Sequence, residues 1–326
     1  MVFLPALRAL ERRGHLSAVN EWWGTSAGSL CAALYALTRS VERVEEIMRG
    51  TDYLKFRDVN LMNFMNIHTA WGLDDGRGLM QEIEVVLDKA VAGASHKTMR
   101  DVSGLNIVVA DLNVYETVVC SAENYPTLRV AEAIRASMSL PIFYTPFKCP
   151  TNGHVWVDGG LRAGFPWDCL PSDDARREAL GFAFERSWMN GPTTFMEYIF
   201  SMVHFDDPVR IRRMREKWSQ NILWFQTPPF PPWYMRLRDD DFTVLEDIAK
   251  VGVERWVSDG AGFIEHSPLG IQGSSASCAH PSTPSPVVRH GTGESSESRR
   301  LSRRTLLPPS QDSQSGRRLS FRRWSL

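Results

Sequence analysis

Gly24-Thr25-Ser26-Ala27-Gly28 fits the pattern G-x-S-x-G, and it falls between a short apolar run, Leu16 to Trp23, and the strongly helix-forming stretch Ser29 to Thr38. In a sharp strand-to-helix turn the central serine is forced into strained backbone geometry, and the flanking glycines let neighbouring segments approach closely. Ser26 then presents its hydroxyl at a helix N-terminus, where free N–H groups favour developing negative charge. The same pentapeptide also suits a plain serine helix cap. A nucleophilic serine needs a base, and none of the eight histidines (His15, His68, His96, His154, His204, His266, His280, His290) has a setting that marks it as one. Val157-Asp158-Gly159-Gly160 is the stronger signal: a carboxylate at a strand end can bond directly to a serine hydroxyl and accept its proton. Taken alone, it also reads as an ordinary Asp-Gly turn.

The elements that must position these residues alternate in type. Leu4, Leu7, Ala9 and Leu10 share one face of an opening helix that Gly14 stops, and Val41 to Met48 and Leu79 to Val91 are further helices, the latter after the turn-forming Asp74 to Gly78. Leu105 to Leu112 is a β-branched run suited to a buried strand, with Glu116 to Cys120 as its hairpin partner. A helix follows at Val130 to Met138, a short strand at His154 to Val157, late strands at Leu180 to Glu185 and Asn221 to Gln226 around the helical pattern Thr194 to Trp218, and a last helix at Val244 to Trp256. This order predicts an α/β layer fold with a mainly parallel sheet.

Of the 326 residues, 43% are apolar, enough for a substantial core. The net charge of −1 hides a split: from Ser267 onward nine Arg and no Lys face Glu294, Glu297 and Asp312, so the remainder stands at −7. That end is rich in Ser, Pro and Arg and lacks the apolar surface to offset ordering entropy, which predicts a body over 1–266 and a disordered basic tail over 267–326. The tail repeats Arg-Arg-Leu-Ser, making Ser302 and Ser320 candidate substrates of an Arg-directed kinase. Five scattered cysteines without a C-x-x-C pair predict reduced thiols, no metal site and a cytoplasmic setting. No run approaches a membrane span, so membrane contact is expected at a surface. Trp22, Trp23, Phe143, Tyr144 and Phe147 suit an acyl pocket or, more simply, a core. Balanced charge gives no sign of a nucleic-acid partner.

Gly24 to Ser29 (GTSAGS) and Val157 to Gly160 (VDGG), joined by Val130 to Phe147 with its R-A-S-x-x-x-P segment and closed by Gly160 to Asp168, resemble the patatin-like phospholipase family over roughly Leu4 to Trp256. The resemblance implies a three-layer α/β/α fold, hydrolysis of lipid acyl esters and no cofactor. It also implies a dyad of Ser26 as nucleophile and Asp158 as base, supported by Gly24, Ala27, Gly28, Gly159 and Gly160. Family members begin with a buried strand and a glycine-rich oxyanion loop ahead of the first helix seen here. Neither is present in this sequence, which predicts an open edge or a gap beside the Ser26 strand and leaves the Ala27 N–H as an oxyanion donor. Two readings stay open: a lipid acyl hydrolase acting on phospholipids or glycerolipids, or an inactive relative serving as a lipid- or protein-binding scaffold.

Overall fold

A computed structural model describes residues 3–12, 14, 16–58, 65, 67–185, 198, 201, 208–226, 238–258 and 323–325. The main elements are helix α1 (Phe3–Arg12), β1 (Glu21–Thr25), α2 (Ala27–Thr38), α3 (Val41–Arg49), β2 (Gly72–Asp74) and α4 (Arg77–Ala90). There follow β3 (Leu105–Asp111), β4 (Glu116–Cys120), α5 (Val130–Ser137), β5 (Ile142–Tyr144), β6 (Phe147–Lys148) and β7 (Val155–Asp158). The last are β8 (Ala179–Glu185), α6 (Pro208–Lys217), β9 (Ile222–Gln226), α7 (Asp239–Ser258) and β10 (Arg323–Ser325).

Eight strands form the main sheet. The parallel set runs β3-β1-β10-β8-β9, while β4 and β7 pair with β3 antiparallel and β6 with β7. The period-2 geometry of a strand sends alternate side chains to opposite faces. Trp22, Ile107, Val109, Leu180 and Phe182 therefore enter one core, with α1 to α5 and α7, whereas Trp23, Val108, Ala179 and Ala183 enter a second, with Phe165, Trp167, Met214 and Trp218. Two helical layers thus sandwich the sheet, the three-layer α/β/α architecture.

The long periodic segments stand where their patterns put them, including the β3–β4 hairpin, whose register runs from Ile107 opposite Cys120 to Asp111 opposite Glu116. The helix expected over Thr194 to Trp218 is described at Pro208–Lys217. Trp22 is fully buried against Tyr35 at 4.5 Å between ring centroids, and Trp23 packs on the opposite face, so these aromatics serve as core. Cys31, Cys120 and Cys149 are buried free thiols.

Two expectations are corrected. The edge of β1 away from β3 is not open: β10 lies parallel between β1 and β8, with Glu21, Trp22 and Trp23 opposite Arg323, Trp324 and Ser325. Nor do all residues beyond 266 belong to a tail apart from the body, because Arg323–Ser325 are a strand of its sheet. Arg323 Nε bonds the Glu21 carboxylate at 2.9 Å, and the Arg323 amide donates to the Glu178 carbonyl at 3.1 Å. Ladder bonds plus a partly buried ion pair hold a segment whose composition alone argues for disorder. Ser302 and Ser320 lie outside the described residues.

Replacing Arg323 with proline removes the amide bonded to Glu178 and the guanidinium bonded to Glu21. Thermal unfolding of Arg323→Pro should show a loss of about 1–3 kcal/mol; an unchanged midpoint would mean that β10 adds nothing to the sheet.

Candidate active site

Two strands approach each other along one edge of β3. Residues Ile107 to Asp111 have β4 on one side throughout, so their other side is shared: Ile107 and Val108 face Gly24 and Thr25 of β1, and Val109 to Asp111 face Asp158 to Trp156 of β7. β1 runs parallel to β3 and β7 antiparallel, so the C-terminal ends of both strands meet at the boundary between Val108 and Val109. Ser26 follows the end of β1, and Asp158 is the end of β7.

The Ser26 hydroxyl donates to Asp158 Oδ2 at 2.7 Å. The hydroxyl is therefore committed to the carboxylate and not to a helix cap. Ser26 occupies the N-cap position of α2, yet its hydroxyl makes no capping bond. Its backbone, at φ 53° and ψ −130°, lies in the sparsely populated left-handed half of conformational space, a strain on the order of 1–3 kcal/mol. Gly24 is required by proximity: a Cβ there would stand 2.6 Å from the Gly28 carbonyl oxygen and the Ser29 Cα. At Gly159 a Cβ would stand 2.3 Å from the Val108 oxygen. Both glycines let the elbow and the Asp-Gly-Gly turn close onto the end of β1 and onto β3.

Asp158 is 2% exposed. Its Oδ1 accepts the Gly160 amide at 2.7 Å, and its own amide donates to the Ser139 carbonyl at 2.9 Å. Burial pushes its pKa up to about 6, against the opposing pull of the bonds from Ser26 and Gly160. A carboxyl so tuned is ionised at neutral pH and still basic enough to take a proton. The Ala27 and Gly28 amides, first in α2, have no acceptor among the described residues, so they stand as donors at a helix N-terminus.

His154 bonds Asp111 Oδ2 at 2.7 Å through Nδ1, beside the Trp156 indole at 2.9 Å. It is committed to another carboxylate. Among the described residues no group of three or more His, Cys, Asp or Glu could hold a metal ion.

Three further contributors lie in the R-A-S-x-x-x-P segment, where nothing in the residues themselves marks a role. Ser137 Oγ accepts the Ser26 amide at 2.9 Å and donates to the Val108 carbonyl at 2.7 Å. The Ser139 carbonyl holds Asp158. Arg135, 5% exposed, donates to the carbonyls of Gly76 and Thr145, each at 3.0 Å, and of Asp75 at 3.3 Å, and it also bonds Ser139 Oγ.

An α/β/α body with an elbow serine bonded straight to a buried aspartate defines the class. The chain belongs to the patatin-like phospholipase family, whose model matches residues 1–170. An uncharacterised protein of Acanthamoeba polyphaga mimivirus, R571, is 25% identical over 190 residues, 55% of this chain and 62% of that protein. The chain thus spans less than two thirds of that relative's length. The uncharacterised Bacillus subtilis protein YqhO is 24% identical over 242 residues, covering 67% of this chain and 80% of YqhO. Among solved structures, VipD from Legionella pneumophila aligns with a TM-score of 0.45 at 13% identity, over 78% of this chain and 64% of VipD. ExoU from Pseudomonas aeruginosa, solved with SpcU, gives 0.41 at 18% identity, over 78% of this chain and 50% of the other.

The raised pKa of Asp158 makes stability depend on pH. The folded carboxyl titrates near 6 and the unfolded one near 3.9, so the folded chain binds more protons between these values, and stability falls as pH rises through that window. Asp158→Asn can accept from the Gly160 amide and donate to Ser26 without the buried charge. It should therefore be more stable than wild type at pH 8, by up to about 3 kcal/mol, and the gap should close as the pH approaches 4. Denaturant titrations at both pH values check this; a gap of equal size at each would contradict it.

Proposed function

We propose that this chain is a lipid acyl hydrolase that cleaves fatty acyl esters of phospholipids or glycerolipids, with Ser26 as nucleophile and Asp158 as base. The observation that carries the proposal is the 2.7 Å bond from the Ser26 hydroxyl to a buried carboxylate at the foot of a helix with two amide donors. The family supplies the substrate class and the site supplies the chemistry.

Asp158 takes the hydroxyl proton as Ser26 Oγ attacks the ester carbonyl, and the carbonyl oxygen becomes an oxyanion. The Ala27 and Gly28 amides, with the N-terminal dipole of α2 behind them, are the donors this chain offers to that charge. Collapse of the tetrahedral intermediate breaks the bond to the leaving alcohol, which departs with the proton held by Asp158. The acyl group remains on Ser26. Asp158 then takes a proton from water as its oxygen attacks the acyl-enzyme, and returning that proton to Ser26 frees the fatty acid. Among the described residues no helix is long and apolar enough to cross a membrane. The substrate is proposed to be met at a lipid surface and, as the scattered free thiols suit, in a cytoplasmic setting.

Release of fatty acid from phospholipid vesicles and from short acyl esters tests the proposal. Ser26→Ala should lower kcat at least about 10³-fold, and wild-type kcat/KM should rise with pH through about 6 as Asp158 ionises. Equal rates for wild type and Ser26→Ala would refute catalysis here and favour a binding scaffold instead.

A further inference from the structure

We propose that Ser137 is a positioning residue for the nucleophile, and that the segment Arg135–Ser139 fixes the separation of Ser26 and Asp158 by holding the backbone of both. The inference rests on the dyad chemistry proposed above and identifies what keeps the dyad assembled.

Ser137 is fully buried at the C-terminal end of α5. A hydroxyl has one proton, and that of Ser137 goes to the Val108 carbonyl, so a lone pair is left to receive the Ser26 N–H. Val108 is the residue opposite Thr25, the last pair of the β1–β3 ladder. Beyond it the backbone turns into the strained conformation of Ser26, and its amide has no strand partner. Ser137 supplies the missing acceptor while tied to the residue where the ladder stops.

Two residues later, the Ser139 carbonyl accepts the Asp158 amide at 2.9 Å. One short stretch therefore grips the nucleophile on one side and its base on the other. The stretch is itself held in place. Ser139 Oγ donates to the Arg135 carbonyl at 2.8 Å, and the Arg135 guanidinium reaches carbonyls in the turn after β2 and in the loop after β5. A buried cation spread over several fixed carbonyls has little freedom to shift.

The bond to Ser137 also commits the Ser26 amide, which leaves the Ala27 and Gly28 amides as the elbow's donors. Without it, Ser26 has a backbone donor unsatisfied beside the core and one bond fewer to oppose relaxation of its φ. A displacement of the hydroxyl by about 1 Å costs on the order of 10²-fold in rate.

The test uses the full chain with a soluble short acyl ester and a serine-directed fluorophosphonate. Ser137→Ala should lower kcat roughly 10- to 100-fold at nearly unchanged KM, and the rate of fluorophosphonate labelling at Ser26 should fall in parallel. Val130→Ala, which thins the start of the same helix, is the structural control: it should lower the thermal midpoint and leave kcat as it was. If Ser137→Ala does not fold, Ser137→Cys, similar in size but a weak acceptor, makes the same comparison. Ser137→Thr, which restores the hydroxyl, should recover most of the activity. A Ser137 variant that labels and turns over like wild type overturns the proposal, as does an equal loss of kcat in Val130→Ala for the same drop in thermal midpoint. Wild type that fails to label at Ser26 defeats the dyad reading, and the positioning role falls with it.

Discussion

One strand edge serves two strands. Because β1 and β7 share a side of β3 and run toward each other along it, the gap between Ser26 and Asp158 is set by backbone ladders and not by the reach of loops. A ladder fixes position to within a fraction of its repeat, whereas a flexible loop spreads a side chain over several ångströms. The glycines follow from the same constraint. Gly24 faces the turn that brings Ser26 round, and Gly159 passes the Val108 carbonyl at a distance no side chain would allow.

The constraint has a thermodynamic cost. A serine at φ 53° and a carboxylate with 2% exposure are both unfavourable relative to an unfolded chain, and neither is relieved by a cation among the groups that shift Asp158. Burial around them offsets it. Trp22, Leu30, Leu34, Ile107, Val109 and Ile134 pack within one core at 2% exposure or less, and the rigidity of that packing stops the site from relaxing. The strained serine and the buried carboxylate are thus held against their own cost by the layers around them.

Much of this was legible in the sequence because its signals are local. The glycines around Ser26, the β-branched run of β3 and its hairpin partner, and the Asp-Gly-Gly turn each lie within a few consecutive residues. What escaped was non-local or very short. Strands β2, β5 and β6 have two or three residues, too few for any periodicity. Ser137 meets Ser26 across 111 positions, and nothing in the text of α5 marks a serine that faces the elbow. Arg135 reads as a surface charge until the carbonyls it serves are known. The Ser/Arg-rich composition around β10 argued for disorder, and the pairing that overrides it comes from strands far away in sequence.

Strand β10 also imposes an order of events on folding. Arg323 meets Glu21 across 302 positions, so the middle of the sheet is completed by residues near the opposite end of the described chain. At about 5–20 residues per second of synthesis, the strand leading to Ser26 leaves the ribosome some 15–60 s before its neighbour. Through that interval β1 carries a bare edge beside a large apolar surface, the kind of exposure chaperones recognise. Such a long loop closure also gives the native sheet a high contact order and a slow final step. Strand β10 seals the sheet between β1 and β8, so a chain cut short before it would display an open strand edge.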